Sequence, residues 1–117
     1  MTNSLVQTVR TLASSPLLGE RHVFVFSAAV ASRSLVADLK RLGIQPSTII
    51  DNNPDKHGTL FEGVPISPPD TLCKYDTTNS VLLVASHSLA EAVIQMRALG
   101  YQGNIVRMVS EPANTSY

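Results

Sequence analysis

Four short runs of β-prone apolar residues recur along the chain: HVFVFS at 22–27, STIID at 47–51, SVLLVAS at 80–86 and NIVRMV at 104–109. Runs that are apolar at successive positions, rather than at alternate ones, suit strands covered on both faces of a parallel sheet. Parallel neighbours need a crossover between them, and helical spacing appears where crossovers are required. In AVASRSLVADLKRLG, Val30, Leu35, Val36, Leu39 and Leu42 lie near the helical repeat, basic residues fill the last turn and Gly43 marks the stop. After the third run, Ser88 and Glu91 have the spacing of an S-x-x-E capping box; Ala92, Val93, Met96 and Leu99 follow, and Gly100 ends the stretch. Val64–Ser67 adds a short strand inside the turn-rich stretch NNPDKHGTLFEGVPISPPDTL, and PDTLCKY reads as a short helix. The expected fold is α/β, a Rossmann-like doubly wound parallel sheet of four to five strands with helices on both faces and right-handed crossovers.

At 117 residues the chain is long enough for one core. Ahead of the first strand, SLVQTVRTLASS at 4–15 places Leu5, Val6, Val9 and Leu12 at spacings of three and four, which predicts an amphipathic helix. The expected division is a helix and linker at 1–19, the Rossmann-like domain at 20–110 and a polar tail at 111–117. Nine basic residues balance nine acidic ones, and Lys40-Arg41 is the longest basic run in the sequence. That footprint predicts no nucleic-acid partner. There is no apolar run of the roughly 20 residues that a membrane span requires, and no secretory leader, so no membrane association is expected. The single cysteine, Cys73, has neither a thiol partner nor clustered histidines, and it reads as a packing residue in a cytoplasmic protein.

Between the first strand and its helix runs FSAAVASR, where a dinucleotide fingerprint would read G-x-G-x-x-G. Ser27, Ala29 and Ser32 stand in the three glycine places, with Ala28 and Val30 completing the turn. Doubly wound sheets bind ligands beyond the carboxyl ends of their strands, here Ser27, Asp51 and Ser86-His87. Asp51 lies 24 positions after Ser27 (51 − 27), near the offset at which a carboxylate accepts from ribose hydroxyls. Asp51 and Asn52 equally suit capping of a turn. Arg33, in the first turn of the helix, would add a cation to amides that attract anions. Lys56 and His57 lie in the turn-rich excursion and could close over a ligand. His87 has no adjacent carboxylate or nucleophile, and no G-x-S-x-G motif is present.

The segment from Phe26 to Leu72, and above all DNNPDKHGTLFEGVPI at 51–66, resembles the Rossmann-like module found ahead of FkbM-type methyltransferase domains and of bacterial sugar acyltransferase domains. Asp51-Asn52-Asn53-Pro54, Lys56, Gly58 and Gly63-Val64-Pro65 carry the resemblance. It implies a nucleotide-sugar pocket at the glycine-free turn, with Ser27, Ala29 and Ser32 in the glycine places and Asp51 at the acidic end of the second strand; together with the residues read from the strand ends and turns, the expected binding set for a nucleotide or nucleotide sugar is Ser27, Ala28, Ala29, Val30, Ser32, Arg33, Asp51, Asn52, Lys56, Ser86 and His87. The sequence supplies no catalytic constellation of its own. Its expected function is a non-catalytic binding or accessory module for a nucleotide or nucleotide sugar. The rival reading is a scaffold for self-association, or for docking to a methyltransferase or other sugar-modifying catalytic domain. Glycine restored at 27, 29 and 32 is expected to lower stability modestly and to improve binding.

Overall fold

In β2 (His22–Phe26), Val23 and Val25 face one core cluster while Phe24 and Phe26 face another. The same division runs through β6 (Ser80–Val84), with Val81 and Leu83 on one side and Leu82 and Val84 on the other. β3 (Thr48–Ile50) divides likewise between Ile49 and Ile50. A period of two in an unbroken apolar run thus feeds two cores at once.

The computed structural model describes residues 6–8, 22–75, 79–85 and 89–109. Helix α1 (Val30–Arg41) covers the first cluster with Leu35, Val36 and Leu39, all fully buried. The second cluster is covered by α2 (Leu89–Ala98), through Ala92 and Met96, and by a 3-10 helix at Pro69–Lys74, through Leu72. Each such buried Leu, Val or Met side chain contributes about 1.5–3 kcal/mol. Helices therefore flank both faces, as expected of a doubly wound sheet.

Both α-helices stop as the sequence indicates. Gly43 takes φ +82°, its amide donates to the Lys40 carbonyl, and the Ile44 amide reaches back to Leu39. Gly100, at φ +96°, repeats the pattern, with Gly100 donating to Arg97 and Tyr101 to Met96. These are Schellman closures, which need a left-handed residue and so favour glycine.

Among the described residues the sheet has seven strands, short strands at both edges being added to the four to five main ones expected. Its order is β1 (Val6–Thr8), β7 (Asn104–Val109), β6, β2, β3, β5 (Val64–Ser67) and β4 (Leu60–Phe61). All neighbours pair in parallel except β4 and β5. Those two form a hairpin whose loop residues Glu62 and Gly63 take φ +52° and +81°, the signs of a type I′ turn. Because such a short hairpin carries little apolar periodicity, the sequence marks only its second strand.

The expected helix over 4–15 is corrected at its centre. Val6–Thr8 is a strand, in register with Arg107, Met108 and Val109 of β7. Val6 and Thr8 are β-branched, and the open ladder of β7 provides a pairing partner that outweighs local helical spacing. The rest of that stretch lies outside the described residues, as do the Ser88 cap, Ser110 and the tail at 111–117.

Candidate functional site

Strand order reverses between β2 and β6. From β2 the chain moves outward through β3 to β5 and β4, whereas from β6 it moves the other way to β7 and, beyond it, lies β1. The crevice beyond the carboxyl ends of β2 and β6 is where open α/β sheets hold ligands. The glycine-free turn, Ser27 to Ala29, directly follows the carboxyl end of β2 and leads into α1.

Ser27 holds φ +79°, so the first glycine place keeps the torsion of a glycine although a Cβ is present. A left-handed L-residue costs about 1–2 kcal/mol. Holding it there, the Ser27 amide donates to the Ile50 carbonyl at 2.5 Å and so ties the turn to β3. Ala29, the helix N-cap, is extended at φ −124°, where a Cβ meets no torsional objection. Ser32 is 2% exposed, and its hydroxyl donates to the Phe26 carbonyl at 3.3 Å. That bond fastens the first turn of α1 to the end of β2, where a third glycine would serve close packing. Of the three substituted glycines, only the one at Ser27 required a glycine torsion.

Asp51 is the hub of the site. One carboxylate oxygen accepts the Ala28 amide at 2.7 Å, and the other accepts the Asn53 amide at 2.8 Å. The second bond is an Asx turn, and Asn53 repeats the device by accepting from the Asp55 amide at 2.9 Å. Asp51 is 8% exposed, so these amides replace most of its water. The turn-capping reading therefore describes its contacts, while spare lone pairs on each oxygen leave room for a further donor.

Lys56 completes the knot. Its ammonium donates to the Ala28 carbonyl at 3.2 Å and lies 3.9 Å from the Asp51 carboxylate, with 43% of the side chain exposed. Both polar groups of the Ala28 peptide unit are thus engaged by residues of the β3–β4 connection. His57 donates from Nε2 to the Asp51 carbonyl at 2.7 Å, since a carbonyl can only accept.

Other expected site residues fall differently. Arg33 pairs with Glu62 of the β4–β5 loop at 3.1 Å, both side chains being substantially exposed, and Lys40 bonds the Glu62 carbonyl. Asn52 exchanges amide hydrogen bonds with Gln95 of α2, at 3.1 and 2.5 Å, linking the β3 end to the helix that follows β6. Val30 is 82% exposed at the start of α1. Ser86 and His87 lie outside the described residues. Asn53 and Gln95 join the site without having been singled out; the D-x-N spacing carries a signal for Asn53, whereas nothing local signals Gln95. Among the described residues no group of three or more His, Cys, Asp or Glu could hold a metal ion, and no helix is long and apolar enough to cross a membrane.

Solved structures share this architecture. UDP-D-quinovosamine 4-dehydrogenase from Vibrio fischeri superposes with a TM-score of 0.55 at 21% identity, over 78% of this chain and 80% of that one. The fold is Rossmann-type. RSP, a Rex-family repressor, superposes at 0.53 with 11% identity over 81% of this chain, and RSP in complex with β-NAD+ and operator DNA at 0.54 with 12% identity over 87%. This chain spans 55% of the repressor's length. No protein-family model and no curated protein sequence matches the chain.

Proposed function

We propose that this domain is a nucleotide-binding Rossmann-like module that contributes binding rather than catalysis. The observation that carries the reading is the meeting, at the reversal of strand order, of a left-handed Ser27, the amide end of α1, and Asp51 with Lys56. The first amides of a helix favour an anion, and in α1 the Ser32 amide is already bonded to the Ala29 carbonyl at 2.9 Å, which leaves the Val30 and Ala31 amides to support this reading. Asp51 sits where a carboxylate can accept from a ribose. The printed names of two neighbours, a UDP-sugar dehydrogenase and a repressor holding β-NAD+, support a nucleotide or nucleotide sugar as the ligand class. The likeness of DNNPDKHGTLFEGVPI to modules preceding FkbM-type methyltransferase and sugar acyltransferase domains supports a place beside a sugar-modifying catalytic domain.

One observation favours a second reading. The Ala28 peptide, the Ser32 hydroxyl and the Arg33 guanidinium all have partners within the chain. A turn so satisfied suits a scaffold that docks to a catalytic domain or to a second copy. Thermal unfolding with a panel of nucleotides, nucleotide sugars, nicotinamide cofactors, coenzyme A and S-adenosylmethionine separates the two. A ligand at 100 times its Kd adds about 2.7 kcal/mol, a rise in Tm on the order of 10 °C for a domain this small. The binding reading expects that rise with at least one nucleotide. No shift across the panel leaves the scaffold.

A further inference from the structure

The inward side of α2 is fully used. Ala92 and Met96 are buried there, Leu89 and Val93 pack beside them, and Gln95 is held by Asn52 at the end of β3. At 3.6 residues per turn, Ala90, Ile94 and Ala98 follow one another along the opposite side, with Glu91 and Arg97 flanking them, and all five are exposed. The outer face of a surface helix is ordinarily polar along its centre. Here an isoleucine, 71% exposed, occupies that centre between two alanines.

The order of residues about Ile94 is self-complementary. Ala90 stands four positions before it and Ala98 four after, while Glu91 stands three before and Arg97 three after. An antiparallel copy of α2 turned about Ile94 therefore sets each Glu91 level with Arg97 of the other copy, giving two pairs of opposite charge. It also sets each Ala90 level with the other copy's Ala98, where small side chains let helix axes approach to about 8–10 Å. A parallel copy would instead bring Glu91 to Glu91 and Arg97 to Arg97. The guanidinium is already positioned, because Nη1 of Arg97 donates to the Tyr101 and Gly103 carbonyls at 2.7 and 2.9 Å. Among the described residues, Nε and Nη2 of Arg97 and the Glu91 carboxylate have no hydrogen-bond or ion-pair partner.

We propose that the outer face of α2 is the contact surface of a homodimer, covered by α2 of a second copy lying antiparallel about Ile94. Such a contact is isologous and closes at two copies. Five side chains make a small centre beside the roughly 800 Å² per partner of a standard interface, so the dimer is weak and forms with rising concentration. The contact draws on neither the Ser27 turn nor a nucleotide, and its failure would leave the nucleotide reading standing.

The test is sedimentation of the whole chain from about 1 μM to about 1 mM, across which the native protein should pass from monomer to dimer. Ile94→Asp should raise the dissociation constant at least about tenfold, and the exposure of Ile94 should keep its urea unfolding close to native. Glu91→Arg, which replaces both opposite-charge pairs by like-charge ones, should raise it about three- to tenfold, an effect that shrinks in about 1 M salt. A disulfide reads the geometry. Axes about 10 Å apart, with each Cα about 2.3 Å from its axis, put the two Cα atoms of position 94 about 5–6 Å apart, within disulfide reach. With the exposed Cys73 replaced by Cys73→Ser, Ile94→Cys should oxidise to a symmetric dimer, whereas Val30→Cys, 82% exposed on α1, should not. A chain that stays monomeric throughout, a dimer unmoved by Ile94→Asp, or cross-linking at position 94 no faster than at position 30 would each overturn the proposal.

Discussion

The Ala28 amide donates to the Asp51 carboxylate across 2.7 Å, joining two residues that are 23 positions apart in sequence. One bond thus fixes the glycine-free turn against the connection that follows β3. In a fingerprint turn that keeps its glycines, turn amides of this kind are left for a pyrophosphate. Here an internal carboxylate takes the Ala28 amide instead.

Removing that carboxylate should cost stability. Asp51→Ala leaves the Ala28 and Asn53 amides without their acceptor, and Ala28 is only 8% exposed. An unsatisfied buried amide costs about 1–3 kcal/mol, and this range is the expected loss in urea unfolding at an unchanged m-value. A loss below about 0.5 kcal/mol would show that water replaces the carboxylate freely.

The three glycine places should respond separately, and with different signs. Ser27→Gly relieves a left-handed torsion costing about 1–2 kcal/mol but adds freedom to the unfolded chain, for a net gain of roughly 0.5–1 kcal/mol. Ala29→Gly, at the N-cap, sets the backbone freedom glycine adds against its better capping and should change stability by no more than about 0.5 kcal/mol. Ser32→Gly gives up both helix propensity and the bond to Phe26, for a loss of about 1–2 kcal/mol. Thermal unfolding of the single variants checks this order. The modest loss expected for all three glycines restored together then contains a gain at Ser27, and a destabilised Ser27→Gly would refute that division.

Legibility followed range. The β2, β3, β6 and β7 strands and both helix stops were readable because apolar runs and stop glycines are local signals. Ser27 was readable as a turn position, yet its positive φ was not, since serine ordinarily avoids that region. The meeting of Lys56 with Ala28 spans 28 positions and that of Asn52 with Gln95 spans 43, so only the folded sheet brings them together. Val6–Thr8 misled because its spacing fits a helix, whereas its structure depends on a partner strand 101 positions away (107 − 6).

The Arg33–Glu62 pair has side chains 63% and 40% exposed, and such pairs contribute at most about 1 kcal/mol. Arg33→Ala and Glu62→Ala should each change stability by no more than about 0.5 kcal/mol and leave nucleotide affinity within about twofold. Equilibrium unfolding and titration of the two variants test this. A tenfold or greater loss of affinity in Arg33→Ala alone would assign an anion contact to Arg33.

The sharpest steric test lies at the opposite end of the chain's last crossover. Tyr101, 1% exposed, lays its ring over Gly103, so that a Cβ at 103 would overlap the phenolic oxygen and its ring carbon. The ring has little freedom to retreat, because its hydroxyl bonds Ser80 at 2.9 Å and Ser80 is fully buried. Backbone movement is opposed as well, since Arg97 bridges the Tyr101 and Gly103 carbonyls at 2.7 and 2.9 Å. Gly103→Ala should thus sit at the upper end of overpacking costs, about 3 kcal/mol. Gly58→Ala, at φ +85° with open space around it, should lose only the torsional 1–2 kcal/mol, roughly. Tyr101→Phe removes the atom nearest the added methyl but leaves the Ser80 hydroxyl without that partner, at a cost of about 1–2 kcal/mol. Combined with Gly103→Ala it should cost less than the two changes added, because the oxygen is gone and the ring, released from Ser80, can move its remaining overlapping carbons away from the methyl group. A double-mutant cycle by urea unfolding measures this coupling, and strictly additive losses would mean that the backbone, rather than the tyrosine, yields to the methyl group.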